Sequence, residues 1–136
     1  MISAEVGITV PFYDLDPMQV VWHGNYVRYL EEARCALLDR LDYSYPRMEE
    51  SGYLWPIVDL RLKYVRPARF GQALRVIATL TEYENRLRIA YRILDAASGE
   101  VLTKAETTQL AVVAATRELC LESPAVLLER VRAVLA

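Results

Sequence analysis

The chain has 136 residues, 54% of them hydrophobic and 25% charged, with a formal net charge of −2. That is the length of one domain, residues 1–136, and a chain of this size takes roughly two-thirds of its unfolded surface out of water. The near-neutral balance excludes the global basic field of a nucleic-acid binder, and no apolar run reaches the ~18 residues of a membrane-spanning helix.

The first residues, Met1-Ile2-Ser3-Ala4-Glu5-Val6, lack the basic and apolar regions of a signal peptide, so a cytoplasmic protein is expected. Residues 2–10 alternate weakly and predict a strand. A loop follows, with Asp14, Asp16 and His23, the only histidine in the chain. At residue 25 the period becomes helical. Tyr26, Tyr29, Leu30, Ala33, Leu37 and Leu41 fall on one stripe at three- and four-residue spacing, which predicts a helix over 25–41 with Asn25 as its N-cap. Arg28 and Glu32, and Glu31 and Arg34, are spaced for surface ion pairs along its polar side. Residues 42–56 hold Pro46, Gly52 and Pro56 among Tyr43, Tyr45, Tyr53 and Trp55. They predict an irregular connection with room for a short helix, and a connection of this length tends to carry function.

From there strands dominate. Residues 58–64 alternate strictly, predicting a half-buried strand with Arg61 and Lys63 on its polar face. Arg66-Pro67-Ala68-Arg69 opens a turn. Residues 74–82 and 86–93 alternate again, with Glu84-Asn85 between them at hairpin spacing. A turn at 95–99 leads to a long strand over 101–114. Ser123-Pro124 carries the chemistry of a helix start before a short amphipathic helix at the C-terminal end. One long helix and five to six strands joined by short turns define an α+β layer architecture with the helix packed on an antiparallel sheet. Cys35 and Cys120, with no metal-ligand spacing around them, are expected as buried, reduced thiols, and no zinc site is expected with a single histidine.

Three chemical elements meet in the loop before the helix. A carboxylate can attack or deprotonate, an imidazole can donate a hydrogen bond, and N–H groups at a helix start can polarise a carbonyl. Alone, each has an ordinary reading: His23 as a loop residue bonded to backbone, Asp14 and Asp16 as turn or cap residues. The basic residues Lys63, Arg66, Arg69, Arg86, Arg88 and Arg92 read as solvated strand faces, or as a patch for the phosphates of a nucleotide-bearing ligand. Neither a GxGxxG nor a GxxxxGK[ST] loop is present, nor a GxSxG elbow.

The run YDLDPMQVVWHGNYVRYLEEAR at 13–34 resembles the signature of the 4-hydroxybenzoyl-CoA thioesterase family of hotdog-fold acyl-CoA thioesterases, including its YbgC-type members. YVRPARFGQALRV at 64–76 is similar to that family's strand-turn-strand after the helix. The resemblance spans nearly the whole chain. It implies a long central helix wrapped by a curved antiparallel sheet. It implies hydrolysis of a thioester to free acid and CoA, with no cofactor and CoA as part of the substrate. Asp16 matches the family's catalytic aspartate, nucleophile or general base. His23 matches the YbgC-type histidine, a position held by tyrosine in the 4-hydroxybenzoyl type. Gly24, Asn25 and Tyr26 match the helix opening whose amides would face the oxyanion. YbgC-type members often carry a tyrosine four residues before the aspartate, where this chain has Phe12 and then Tyr13. Trp22, Tyr53 and Trp55 are expected to line the acyl pocket, and Lys63, Arg66 and Arg69 to meet CoA. A homodimer or homotetramer with sites between subunits is implied, and a hydrophobic fraction above the usual ~45–50% agrees with a buried interface. The alternative is a non-catalytic hotdog protein that binds acyl-CoA. A hydratase of the same fold would want a histidine–acid motif in the helix region, and none is present.

Overall fold

The computed structural model describes residues 1–136. Strand β1 (Ser3–Thr9) leads through a 3₁₀ turn (Phe12–Asp14) and the motif loop into helix α1 (Asn25–Arg40). Helix α2 (Tyr45–Glu50) and the two-residue strand β2 (Tyr53–Leu54) follow. Then come β3 (Ile57–Tyr64), β4 (Ala73–Glu82), β5 (Leu87–Asp95), β6 (Val101–Gln109), the short β7 (Val112–Val113) and helix α3 (Ala125–Leu135). Five strands form one antiparallel sheet in the order β1-β4-β5-β6-β3, and β2 pairs with β7 in a separate ribbon. Helix α1 packs across β1 and β4. The long helix on an antiparallel sheet is the expected architecture.

The helix forms where the apolar stripe predicts it. Tyr26, Tyr29, Leu30, Ala33, Leu37, Leu38 and Leu41 are all buried, facing the inward residues Leu74, Val76, Ala78 and Leu80 of β4. Each large side chain so buried contributes roughly 1.5–3 kcal/mol. The helix ends in a Schellman turn. The Tyr43 N–H donates to the Leu38 carbonyl at 2.9 Å, the Asp42 N–H to the Asp39 carbonyl at 2.9 Å, and Asp42 takes the left-handed conformation at φ 51°. Glycine is the usual residue there. Aspartate is held by Arg130, 2.8 Å away on α3, so this turn also ties the C-terminal helix to α1.

Several expectations are corrected. The N-cap of α1 is Gly24, while Asn25 is the first helical residue and its amide side chain reaches back to the Asp14 carbonyl at 2.8 Å. Arg28 pairs with Asp14 rather than Glu32. Arg34 does pair with Glu31, but it is buried rather than on the polar side, and its Nε donates to the Tyr45 hydroxyl at 2.9 Å. Cys35 is exposed, because it lies off the apolar stripe, and Cys120 is half-buried. The strand expected over 101–114 stops at Gln109. There the Gln109 side chain donates to the Trp55 carbonyl at 2.7 Å, and the chain leaves the sheet to pair with β2. Helix α3 starts at Ala125 with Pro124 as N-cap, and the Ser123 hydroxyl caps nothing. Strand β3 is not half-buried: it is one of the two edge strands of the sheet, and Ile57, Val58, Leu60 and Tyr64 are exposed.

Candidate active site

The loop between β1 and α1 is a small hairpin. Leu15 bridges Val21, the Asp16 N–H donates to the Val20 carbonyl at 2.9 Å, and the Gln19 N–H donates to the Asp16 carbonyl at 2.9 Å. Pro17 is the second residue of the turn, where its fixed φ costs nothing. Gln19 closes it at φ 61°, a left-handed conformation that a side-chain-bearing residue adopts only when its surroundings impose it. The Asp16 carboxylate is part of this turn. Its Oδ1 accepts the Met18 N–H at 2.8 Å, which fixes the carboxyl group while Oδ2 makes no hydrogen bond to the protein.

The two aspartates, alike in sequence, have different surroundings. Asp14 is buried. Its Oδ2 accepts the Tyr29 hydroxyl at 2.6 Å and its Oδ1 accepts Arg28 Nη2 at 2.6 Å. Its carbonyl accepts both the Trp22 N–H at 2.9 Å and the Asn25 side chain at 2.8 Å. Its bonds to Asn25, Arg28 and Tyr29 moor the hairpin to α1. Asp16 is only part-buried and lines a cavity of about 210 Å³ together with His23, Tyr26, Tyr64 and Arg66. The structure therefore brings Asp16 and His23 into one cavity at the start of α1.

His23 is exposed at the mouth, its ring 5.0 Å from that of Trp22. Its carbonyl accepts the Tyr64 hydroxyl at 2.8 Å, which ties the loop to the end of β3. Trp22 lies over Gly24: a Cβ there would stand 2.3 Å from the indole, so glycine is what lets the ring close on the helix start. Of the three helix-opening amides, the Asn25 N–H is engaged by the Trp22 carbonyl at 2.9 Å, which leaves those of Gly24 and Tyr26.

Not all expected residues meet here. Trp22 flanks the mouth through His23. Trp55 is buried elsewhere, edge-on to Tyr43 with its Nε1 donating to the Tyr43 hydroxyl at 3.2 Å. Tyr53 lies in the β2–β7 ribbon against the same core. The aromatic connection 42–56 thus packs the core and does not line this cavity. Lys63 stands on β3 opposite Lys104, away from the other two basic residues. Arg66 and Arg69 do share a groove, of about 420 Å³, with Gln72 and Glu100. Arg66 pairs with Glu100 there, while Arg69 has no ion pair. Arg66 borders both the groove and the Asp16 cavity, so the two are continuous. Tyr13 and Phe12 both point to solvent, and neither supplies a hydroxyl to the cavity.

Two cavity residues escaped the sequence reading as side chains. Tyr64 continues the apolar alternation of β3 and looked like one more strand residue. Tyr26 sat on the apolar stripe and looked like core. The cue available for Tyr64 was its place two residues before the basic turn. No group of three His, Cys, Asp or Glu side chains in the structure is arranged to hold a metal ion.

A sequence profile described as the thioesterase-like superfamily matches residues 10–131. The chain is 32% identical over 106 residues to the Bacillus subtilis (strain 168) protein named "Putative acyl-CoA thioesterase YneP", covering 77% of this chain and 76% of that one. Among solved structures it is similar to a DHNA-CoA thioesterase from Staphylococcus aureus, with TM-score 0.79 and 28% identity over 88% of this chain and 80% of the other. It also superposes on Slr0204, a 1,4-dihydroxy-2-naphthoyl-CoA thioesterase from Synechocystis, with TM-score 0.86 over 98% of both chains; at 21% identity that likeness concerns the fold alone.

Proposed function

The chain belongs to the thioesterase-like superfamily and has its hotdog fold, and from that premise we propose that it hydrolyses acyl-CoA thioesters to the free acid and CoA, with Asp16 as the essential carboxylate. The observation that carries this reading is the shared cavity of Asp16 and His23 at the start of α1. The free Oδ2 of Asp16 attacks the thioester carbonyl, or takes a proton from the water that does. The amides of Gly24 and Tyr26, at the positive end of the helix, and the His23 ring stabilise the charge that develops on the carbonyl oxygen. The mechanism asks nothing of a cofactor. By resemblance His23 leans toward YbgC-type members, while the Asp-Pro-Met-Gln-Val-Val-Trp step leans toward aryl-CoA enzymes. The 28% identity to a DHNA-CoA thioesterase puts aryl-CoA first in the panel to assay.

The assay is release of free thiol from aryl, short-chain and long-chain acyl-CoAs by the purified protein. Turnover of at least one class is expected. Tight binding of acyl-CoA with no thiol release would make the protein a non-catalytic binder.

CoA phosphates would lie in the groove of Arg66 and Arg69, since a guanidinium can donate two hydrogen bonds to one phosphate. Lys63 stands apart from that groove and is dropped from the set. Arg69 is remote from the reacting carbonyl, so Arg69→Ala should raise KM by about tenfold or less and leave kcat nearly alone. Arg66 also borders the cavity, and Arg66→Ala should touch both constants. Equal KM values for Arg69→Ala and the wild type would move the CoA site elsewhere.

The protein acts as a homodimer or larger homo-oligomer in this reading, with the site at a subunit boundary. The edge strand β3, with three exposed apolar side chains, Ile57, Val58 and Leu60, leading to the cavity residue Tyr64, supports it. Light scattering should give at least twice the 15.6 kDa chain mass. A monomer that hydrolyses acyl-CoA would overturn the shared site.

A further inference from the structure

Tyr26 is buried, and its hydroxyl oxygen accepts the Ala68 N–H at 3.0 Å. A phenol has one proton to give. No protein acceptor takes that of Tyr26, whereas the Tyr29 hydroxyl donates to the Asp14 carboxylate and the Tyr64 hydroxyl to the His23 backbone carbonyl. A buried O–H without an acceptor is costly unless something else occupies the site. Tyr26 lines the cavity that also holds Asp16. Its anchor, Ala68, is two residues from Arg66, the residue shared by the cavity and the basic groove. Tyr26 therefore stands on the wall where the cavity opens toward the groove.

We propose that the Tyr26 hydroxyl is a catalytic hydrogen-bond donor to the sulfur of the departing thiol. The assignment rests on the thioesterase reading, because that reading puts the acyl carbonyl beside Asp16 and the phosphates beside Arg66 and Arg69. The sulfur joins those two parts of the substrate and so passes the Tyr26 wall. Either the oxygen of a water deprotonated by Asp16 bonds to the carbonyl carbon, or Asp16 Oδ2 bonds there first and a water then hydrolyses the resulting mixed anhydride and regenerates the Asp16 carboxylate; on both routes the C–S bond breaks and sulfur takes the bonding pair. Tyr26 donates a hydrogen bond to the developing thiolate and keeps its proton. The proton taken from water by Asp16 goes to the thiolate or to solvent, giving one carboxylate and one thiol. Burial raises the pKa of the Tyr26 phenol above its ordinary range, outweighing the opposing bond from Ala68, so the hydroxyl keeps its proton and remains a donor at working pH. The other titratable or charged groups on the cavity are Asp16, His23, Tyr64 and Arg66.

The test compares two thioesters of one acyl group that lack the nucleotide: an N-acetylcysteamine ester, whose alkylthiol is a poor leaving group, and a thiophenyl ester, whose thiol is acidic. Tyr26→Phe should lower kcat/KM on the alkyl thioester by about tenfold or more and on the thiophenyl ester by about twofold or less, because a good leaving group needs no donor. A second variant keeps the ring and its anchor to Ala68: 3-fluorotyrosine at position 26, a stronger donor that is still protonated at neutral pH, should narrow the gap between the two esters. A purely structural hydroxyl would change both esters by the same factor, and that result overturns the assignment. If the wild-type protein hydrolyses both esters and the gap stays fixed across all three proteins, Tyr26 is not the donor while the thioesterase reading stands. If the wild-type protein hydrolyses neither ester nor any acyl-CoA, both fail together.

Discussion

Asp16→Asn is expected to lower kcat by about 10²–10⁴-fold, the scale for losing a positioned base or nucleophile, with the melting temperature close to wild type. The reasoning starts from the hairpin. Asp16 Oδ1 closes the turn by accepting the Met18 N–H at 2.8 Å, and Asn Oδ1 can accept the same bond. The turn should therefore survive the substitution. What changes is the second atom, Oδ2, which becomes an amide NH₂ that can neither attack a carbonyl nor take a proton from water. A fall in kcat at constant KM would mark an interaction made only in the transition state. Asp16→Asn with near-normal turnover, beside an inactive but folded Asp14→Asn, would reverse the roles of the two aspartates.

The sequence showed much of the scaffold because its signals are local. The stripe from Tyr26 to Leu41 needs only the helical period, and the β4–β5 hairpin needs only alternation and a short turn. The break after Gln109 was invisible for the opposite reason. Residues 101–114 are compatible with one strand, and what ends it is a hydrogen bond to Trp55, 54 positions earlier in the chain. The exposure of β3 has the same origin, since alternation says which residues share a face and not whether anything covers it. At the site, the motif placed Asp16 and His23 together. It favoured Asp16 over Asp14 by motif match alone; the physical difference, one aspartate moored and the other free, depends on Arg28 and Tyr29 about one turn into the helix. The aromatic connection 42–56 packs into the core away from the Asp16 cavity. Tyr43 and Trp55 satisfy each other's polar groups inside the core, so their number reflects packing rather than a ligand. Lys63 and Arg69 looked equivalent as cations near a turn. Strand geometry sends one to the edge-strand face and the other to the groove.

Asp14→Ala is expected to unfold the protein far more readily than any change at Asp16. The Asp14 carboxylate is buried and holds two partners, the Tyr29 hydroxyl at 2.6 Å and Arg28 at 2.6 Å. Removing it leaves the buried Tyr29 O–H without an acceptor, a penalty of roughly 1–3 kcal/mol, and loses a charge-assisted bond to Arg28. The Arg28 side chain is 58% exposed, so water replaces most of what it loses and its share is discounted. A total of about 3 kcal/mol corresponds to a drop in Tm on the order of 10 °C for a domain of this size. Asp14→Asn keeps the volume and one acceptor and should fall between alanine and wild type. A Tm for Asp14→Ala within about 2 °C of wild type would show that the moorings through the Asp14 carbonyl suffice alone. A second readout comes from alkaline pH. Burial first, and the bond to Asp14 second, hold the Tyr29 phenol proton well above the ordinary phenol range in the folded state. A group whose folded value is raised stabilises fully below its unfolded value, about 10 for tyrosine, and loses that contribution as the pH climbs beyond it. The stability of the wild type should accordingly decline above about pH 10, and less steeply in Tyr29→Phe, which has no proton to lose there. Tyr26, Tyr64 and Tyr91 are raised in the same direction, so the slope shrinks without vanishing. Identical alkaline slopes for wild type and Tyr29→Phe would mean that the buried pair of Tyr29 and Asp14 does not hold the hairpin to the helix.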